Sequence, residues 1–452
     1  MSEKTETVLY ILLLIGLIAV MLVLAWFLRV PMALSSEATN WYFAEGCTRE
    51  GFDTYYCISN PNDTPADVQF NFMLETGEII RNNEEVEAHS RSTFALNSYV
   101  PVGQDVAARI TTDEGVIVER VVSFDYHDKW QGVSTVVGAN QLQTTFLFAE
   151  GTTRDGFEEW LVLQNPNNDI ATVNVAYMLG DVTTINGSYQ VGAHSRKTVD
   201  VNGEVGSNKD VSMRVNSSLP IMAERPMYFD YQGRIQGGTT VIGVPEPATE
   251  WHFAEGTTRN GFDEYLCLLN PSGELATVRI DYAFADGSVM EKCYAISPKT
   301  RYTVTVRNEV GNNEDVSATV TSDVPVVAER PMYFDYEGNV GGTDVFGSLG
   351  LAREFFVPEM ATTFGFDCYL SCYNPSGTKG TMEVLFKFDD GSVEAKNYTV
   401  SPMSRFTLTF QDEVGQGKNV TCEIETNFPA AIERVVYGGG DGYCLPAYEV
   451  TK

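Results

Sequence analysis

Cations, histidine and helical periodicity are all scarce in this sequence. Lys plus Arg number 30 against 61 Asp plus Glu, a formal charge of −31. A field of that sign repels phosphate backbones, so nucleic acid is not an expected partner. Four His leave little room for imidazole-based acid–base or metal chemistry. No GxSxG, HExxH or kinase signature appears. No Gly-Lys-(Ser/Thr) follows the glycine pairs Gly237-Gly238 and Gly341-Gly342, so neither is a phosphate loop. Paired CxxC spacing for zinc is missing, and acidic loops such as Asp389-Asp390-Gly391 lack the ligand spacing of a calcium loop. The expectation is a chain with no cofactor and no metal, and not an enzyme.

One long hydrophobic run is present. Val8 to Leu28 reads VLYILLLIGLIAVMLVLAWFL, 21 residues without a charge. At 1.5 Å per residue it spans a hydrocarbon core of about 30 Å. Trp26 lies at its edge as interfacial aromatics do, and Arg29 and Pro31 close it. A cleaved signal peptide is the competing reading, with Ala33-Leu34-Ser35 as the cleavage site. The run is longer than a signal h-region, and only Lys4 precedes it as a side-chain cation, so a single-pass membrane anchor is favoured.

The sequence behind the anchor repeats. Trp41-Tyr-Phe-Ala-Glu-Gly returns as Phe146-Leu-Phe-Ala-Glu-Gly, Trp251-His-Phe-Ala-Glu-Gly and, loosely, Phe355-Phe-Val-Pro-Glu-Met, at steps of 105, 105 and 104 residues. Gly-Phe follows at Gly51, Gly156, Gly261 and Gly365, and Asn-Pro at Asn60, Asn165, Asn270 and Asn374. An Arg recurs at 91, 196, 301 and 405, and Glu-Arg at 119, 224, 329 and 433. The chain divides into a stub, anchor and linker (1–40) and repeats at 41–145, 146–250, 251–354 and 355–452, the last divergent.

Each repeat reads as strand after strand. Ala171-Thr-Val-Asn-Val-Ala-Tyr alternates in period two, and Asn165-Pro-Asn-Asn is a turn cluster that stops Glu159-Trp-Leu-Val-Leu-Gln. Pro226 cannot donate to a ladder, so it marks an edge, a bulge or a crossing between sheets. Seven or eight short strands per repeat predict four tandem immunoglobulin-like β-sandwiches behind the anchor. A β-propeller is the rival, but the two halves of a repeat do not resemble each other as paired blades would.

FAEGTTRxGFxE(W/Y)L followed by Asn-Pro, then AERPMYFDY, resembles the tandem repeats of uncharacterised secreted or surface-anchored bacterial proteins. The resemblance covers about 410 residues, nearly all the chain after the anchor. It implies an exported protein and carries no reaction to transfer.

Cysteine usage bears on orientation, because Lys4 and Arg29 balance across the anchor. Cys47 and Cys57 fall in the first repeat, and Cys267 and Cys293 in the third. Cys368, Cys372, Cys422 and Cys444 fall in the fourth, and none in the second. An even tally in every repeat predicts bridges within domains in an oxidising space, with the repeats extracytoplasmic.

The recurring carboxylates are the strongest chemical candidates. Glu45, Glu150, Glu255 and Glu359 form one series, and Glu119, Glu224, Glu329 and Glu433 another. Arg91, Arg196, Arg301 and Arg405 stand at fixed offsets from both. Two carboxylates across a groove can hydrolyse a glycoside. Four copies in one chain instead predict a structural ion pair inside each domain, with Arg301 meeting Glu255 or Glu329. The aromatics at Trp41, Phe146, Trp251 and Phe355, and at Tyr55, Trp160, Tyr265 and Tyr369, read as packing. Trp130 has no counterpart in other copies and sits in His127-Asp-Lys-Trp-Gln-Gly, a loop in this reading, so it is the candidate ligand contact. His89 and His194 share a position with Lys299 and Met403, which argues against common ligation. The functional expectation is a membrane-anchored extracytoplasmic structural or adhesive protein, its sandwiches, each about 40 Å long, in line as a stalk reaching well over about 100 Å. Its partner is a surface protein or a glycan, and a carbohydrate-binding or wall-processing protein is the alternative.

Overall fold

The computed structural model describes residues 38–450, so the anchor candidate Val8–Leu28 lies outside the described residues. Among the described residues no helix is long and apolar enough to cross a membrane.

The first repeat holds eight strands, β1 (Asn40–Phe43), β2 (Phe52–Asn60), β3 (Ala66–Leu74), β4 (Ile79–Val86), β5 (Ser90–Ala95), β6 (Val106–Thr112), β7 (Ile117–Tyr126) and β8 (Trp130–Val137). They pair antiparallel into two four-stranded sheets, β1-β6-β3-β4 and β5-β2-β7-β8. Alternation makes this possible. Along β3, Ala66, Val68, Phe70 and Phe72 turn inward while Asp67 and Gln69 face solvent. The inward set meets Trp41, Tyr56, Ile58 and Val118 from the other strands in one closed core. Each such side chain contributes roughly 1.5–3 kcal/mol on burial. The outer strand β4 carries Arg81, Glu84 and Glu85, charges that discourage pairing with another chain.

The sandwich is therefore present, but not with the immunoglobulin strand order. There the first strand lies beside the second, whereas here β1 pairs with β6 and β2 lies in the other sheet. Blades do not form either, because each repeat is two facing sheets.

In the second, third and fourth repeats the equivalents of β6 and β7 fuse into one strand that serves both sheets. Val211–Tyr231 pairs with Ala171–Leu179 in its first half and with Phe157–Asn165 in its second. The crossing falls near Pro220, where the register shifts between Asn216 and Ile221. Pro226 sits instead in the middle of a sheet. The ladder to Phe157–Asn165 skips Trp160 and Leu161 there, while Val121 of the first repeat keeps it continuous.

The four sandwiches do not run in line. β8 and its equivalents Ile235–Ile242, Asn339–Phe346 and Asp441–Pro446 pack side by side around a common axis, the last returning to β8. The ring is sealed where the fourth repeat meets the first. Arg434 binds Glu119, Tyr448 donates to Glu119 at 3.1 Å, and Arg91 pairs with Glu359 at 2.5 Å. The expected stalk is corrected to a ring.

All eight cysteines are free thiols, which corrects the expected bridges. Cys267 is buried inside one sheet while Cys293 is exposed on another strand, so the two cannot meet without rearrangement. Cys47 accepts from Arg49, and Cys57 lies against Thr93. Cys368 donates to the Ala361 carbonyl, and Cys372 and Cys422 are core residues. Cys444 donates to Glu433.

Candidate functional site: the junctions between repeats

The recurring glutamates and arginines are paired and buried, but between repeats rather than within them. Arg196 reaches back to Glu45 at 2.8 Å, Arg301 to Glu150 at 2.6 Å, Arg405 to Glu255 at 2.5 Å, and Arg91 across the ring to Glu359. Arg301 therefore meets neither Glu255 nor Glu329. A second series runs the opposite way round. Arg120 binds Glu224 at 2.7 Å, Arg225 binds Glu329 at 3.4 Å, Arg330 binds Glu433 at 2.8 Å, and Arg434 binds Glu119. Every junction is thus crossed twice, once in each direction.

The Phe-Ala-Glu-Gly segment is the joint. In the first repeat the Ala44 N–H donates to Glu224 of the second at 2.6 Å. The Glu45 carbonyl accepts from Arg120, and the Gly46 carbonyl accepts from Arg196. Glu329 and Glu433 take the corresponding N–H groups of Ala149 and Ala254. These bonds offset part of the cost of burying the charges. Both members of the Glu-Arg pairs are buried because β7 and its equivalents have a core on one face and the preceding repeat on the other, as Ile117 and Glu119 have the fourth. Arg120, Arg225, Arg330 and Arg434 were the residues sequence reasoning left without a role, although their recurrence was visible.

The titration behaviour follows from the packing. Burial pushes Glu45 up despite Arg196 and Arg120. Burial acts on Glu150 in the same sense, but Arg301, the Cys267 thiol and Arg225 outweigh it and the carboxyl is lowered. Glu329 is raised by burial, since Arg225 is shared with Asp344. Glu159 and Glu264 are buried acids of another kind. They pack beneath Gly151 and Gly256, and burial lifts each to about 8. In the first repeat Thr54 holds this position and its hydroxyl donates to the Cys47 carbonyl at 2.9 Å; in the fourth it is the Cys368 thiol. The first and fourth repeats thus place an uncharged group where the second and third have the buried acid.

Beside the first series of bridges each internal junction opens a pocket, of about 210 Å³ between the first and second repeats, 100 Å³ between the second and third, and 210 Å³ between the third and fourth. One wall is aromatic. Tyr126 stacks on Tyr228 at 4.3 Å between centroids, Tyr231 on Tyr333 at 3.9 Å, and Tyr336 packs on Tyr437 at 4.7 Å. Tyr265 and Tyr369 bind the first tyrosine hydroxyl of their pair at 2.6 and 2.8 Å, and Trp160 takes that place in the first pocket. The rim is a half-exposed ion pair, Arg49–Asp105, Arg154–Asp210 or Arg259–Asp315. These arginines and aspartates recur at steps of 105 residues, a signal present in the sequence and not used.

The expected packing role of Trp41, Phe146, Trp251 and Phe355 is met, for all four are buried. Trp130 is not a surface contact. It opens β8, is 2% exposed, and stacks on Tyr126 at 5.7 Å. Among the described residues no group of His, Cys, Asp and Glu is arranged to hold a metal ion.

No family model and no curated protein matches the chain. Among solved structures, Thermotoga maritima 1070 is 25% identical over 22% of this chain and 93% of its own, with a TM-score of 0.21. The Anabaena sensory rhodopsin transducer is 23% identical over 19% of this chain and 87% of its own, with a TM-score of 0.18. A tetra-tandem repeat from the extending region of a large adhesion protein is 11% identical over 93% and 98%, with a TM-score of 0.12. The first two shared stretches are about one repeat long.

Proposed function

We propose that the chain is a non-enzymatic binding protein displayed outside the cell membrane on its N-terminal anchor, a rigid ring of sandwiches rather than an extended stalk. The reading rests on one observation: the same half-open pocket recurs at three junctions, each with a packed tyrosine pair, threonine and an Arg–Asp rim. A catalytic carboxylate pair has no counterpart there, because the recurring glutamates are engaged in the bridges. Flat aromatic faces beside paired polar groups suit a small polyhydroxylated ligand, whose ring packs on tyrosine while its hydroxyls bridge Arg and Asp. The cavity volumes fit a single sugar residue or a smaller polyol, so a terminal glycan unit is the favoured ligand class.

The test is binding of the full chain to a glycan array and to free monosaccharides by calorimetry. The triple variant Asp105→Ala, Asp210→Ala and Asp315→Ala removes the rim acceptors and leaves the Glu–Arg bridges in place. Selective binding lost in this variant supports the reading. Binding to no glycan, or binding unchanged in the variant, favours a purely structural ring instead.

A further inference from the structure

The axis of the ring is lined by glycine in three repeats and by an acid in the fourth. Gly132, Gly237 and Gly341 pair with Phe124, Phe229 and Phe334 on the neighbouring strand; the fourth repeat has Asp441 opposite Gly438. The missing side chains make room for that carboxyl. A Cβ on Gly132 would lie 2.6 Å from Asp441 Oδ2, and one on Gly341 would collide with Oδ1. Oδ2 accepts the Val133 N–H of the first repeat at 2.6 Å, and Oδ1 accepts the Gly442 N–H at 2.7 Å. Asp441 is 4% exposed and forms no ion pair among the described residues.

We infer that Asp441 is a proton-controlled latch on the seam between the fourth and first repeats, seated in the axial gap as a neutral acid and released as a carboxylate. The groups facing it are not ionisable: Gly132 and the Val133 N–H from β8, Gly341 from Asn339–Phe346, and the Gly442 N–H from its own strand. Charged side chains on the strands packed around it are engaged elsewhere, Asp344 with Arg225, Glu433 with Arg330 and Arg434 with Glu119. An unpaired carboxylate here is favoured by two amide donors but is 4% exposed and has no counter-cation among the described residues, whereas an open seam hydrates it. Burial accordingly lifts the closed-seam acid to about 8.

The linkage has a definite sign. The closed seam keeps the proton and the open seam gives it up, so closure weakens as pH rises from the ordinary carboxyl range to about 8 and then levels off. The dependence approaches tenfold per pH unit for one proton. This inference is independent of any ligand in the junction pockets.

Hydrogen exchange of the full chain between pH 5 and 9, corrected for intrinsic amide rates, reads the seam directly. Wild-type exchange over 130–137 should rise by up to tenfold per pH unit to about pH 8, relative to Asp441→Asn, while 235–242 does not change. Asp441→Gly restores the glycine of the other repeats and should exchange faster at every pH, without the step. Equal pH dependence in wild type and both variants overturns the latch. So does a wild-type step that appears equally at 235–242.

Discussion

The three internal junctions and the closing seam use the same bridges but different packing around them. Inside the ring, Phe124, Phe229 and Phe334 press onto Gly238, Gly342 and Gly442 of the next repeat, where an added Cβ would lie 2.7, 2.7 and 3.1 Å from the ring carbon. At the seam the bulk is exchanged: Gly438 takes the place of the phenylalanine and Val133 that of the glycine. The tyrosine stack is missing too, with Gly440 and Ser123 in the two tyrosine positions. The seam pair Arg91–Glu359 is 31% and 25% exposed, against 3% and 6% for Arg301–Glu150. Identical junctions would let any repeat follow any other. A seam with its own complementary shapes directs the fourth repeat to the first.

The sharpest way to break this comparison is to cut the equivalent bridge on each side. Arg301→Ala strands the buried Glu150 and should cost about 3–5 kcal/mol. Arg91→Ala at the seam leaves a partly hydrated Glu359 and should cost about 1 kcal/mol or less. Denaturant midpoints of the two variants, compared at pH 7, check this; equal losses would mean the seam is as closed as the internal junctions.

The next effect is a gain. Glu159 and Glu264 are raised to about 8 by burial, so their favourable contribution is complete below the ordinary carboxyl range and lost as pH rises through about 8. Glu159→Gln, neutral at every pH, should stabilise by ~2–4 kcal/mol at pH 8 and by little at pH 4. Melting temperatures across that range decide it. A variant that melts below wild type at pH 8 would show that the site needs the acid itself.

Placing bulk at an internal junction tests the packing difference. Gly238→Ala drives a methyl toward Phe124 and should cost ~1–3 kcal/mol, whereas Val133→Ala at the seam removes bulk opposite a glycine. A neutral Gly238→Ala in thermal unfolding would remove the shape argument. A similarly small effect is expected for Tyr231→Phe, which deletes the hydroxyl contacts to Tyr265 and Asp263. A loss of about 1 kcal/mol, read from the same unfolding curves, is the expected value.

Strand composition was legible in the sequence because it depends on neighbours two residues away, and the repeat, with its opening aromatics, because the same motifs return at steps of 104 or 105 residues. Period-two alternation in Ala66–Leu74 or Ala171–Leu179 needs no partner to be recognised. The strand order was not legible, since β1 finds β6 rather than β2 through a core that many pairings would fill. The even cysteine tally misled for a related reason. Counting cannot tell a bridge from Cys267 donating to a glutamate of the preceding repeat.

By itself the sequence determined that four sandwiches would form and that glutamate and arginine would be paired at fixed places in each. Only the tertiary structure decided which copy supplies the partner. Every repeat carries both halves of both bridges, so pairing within a repeat and pairing with the next have the same composition and the same spacing. The choice is made by the Phe-Ala-Glu-Gly joint, whose backbone N–H groups are met by the glutamate of the following repeat. Three such joints in one sense, and a seam where Tyr448 and Arg434 meet Glu119 in place of a backbone N–H, return the chain to its start, and that turns an expected stalk into a ring.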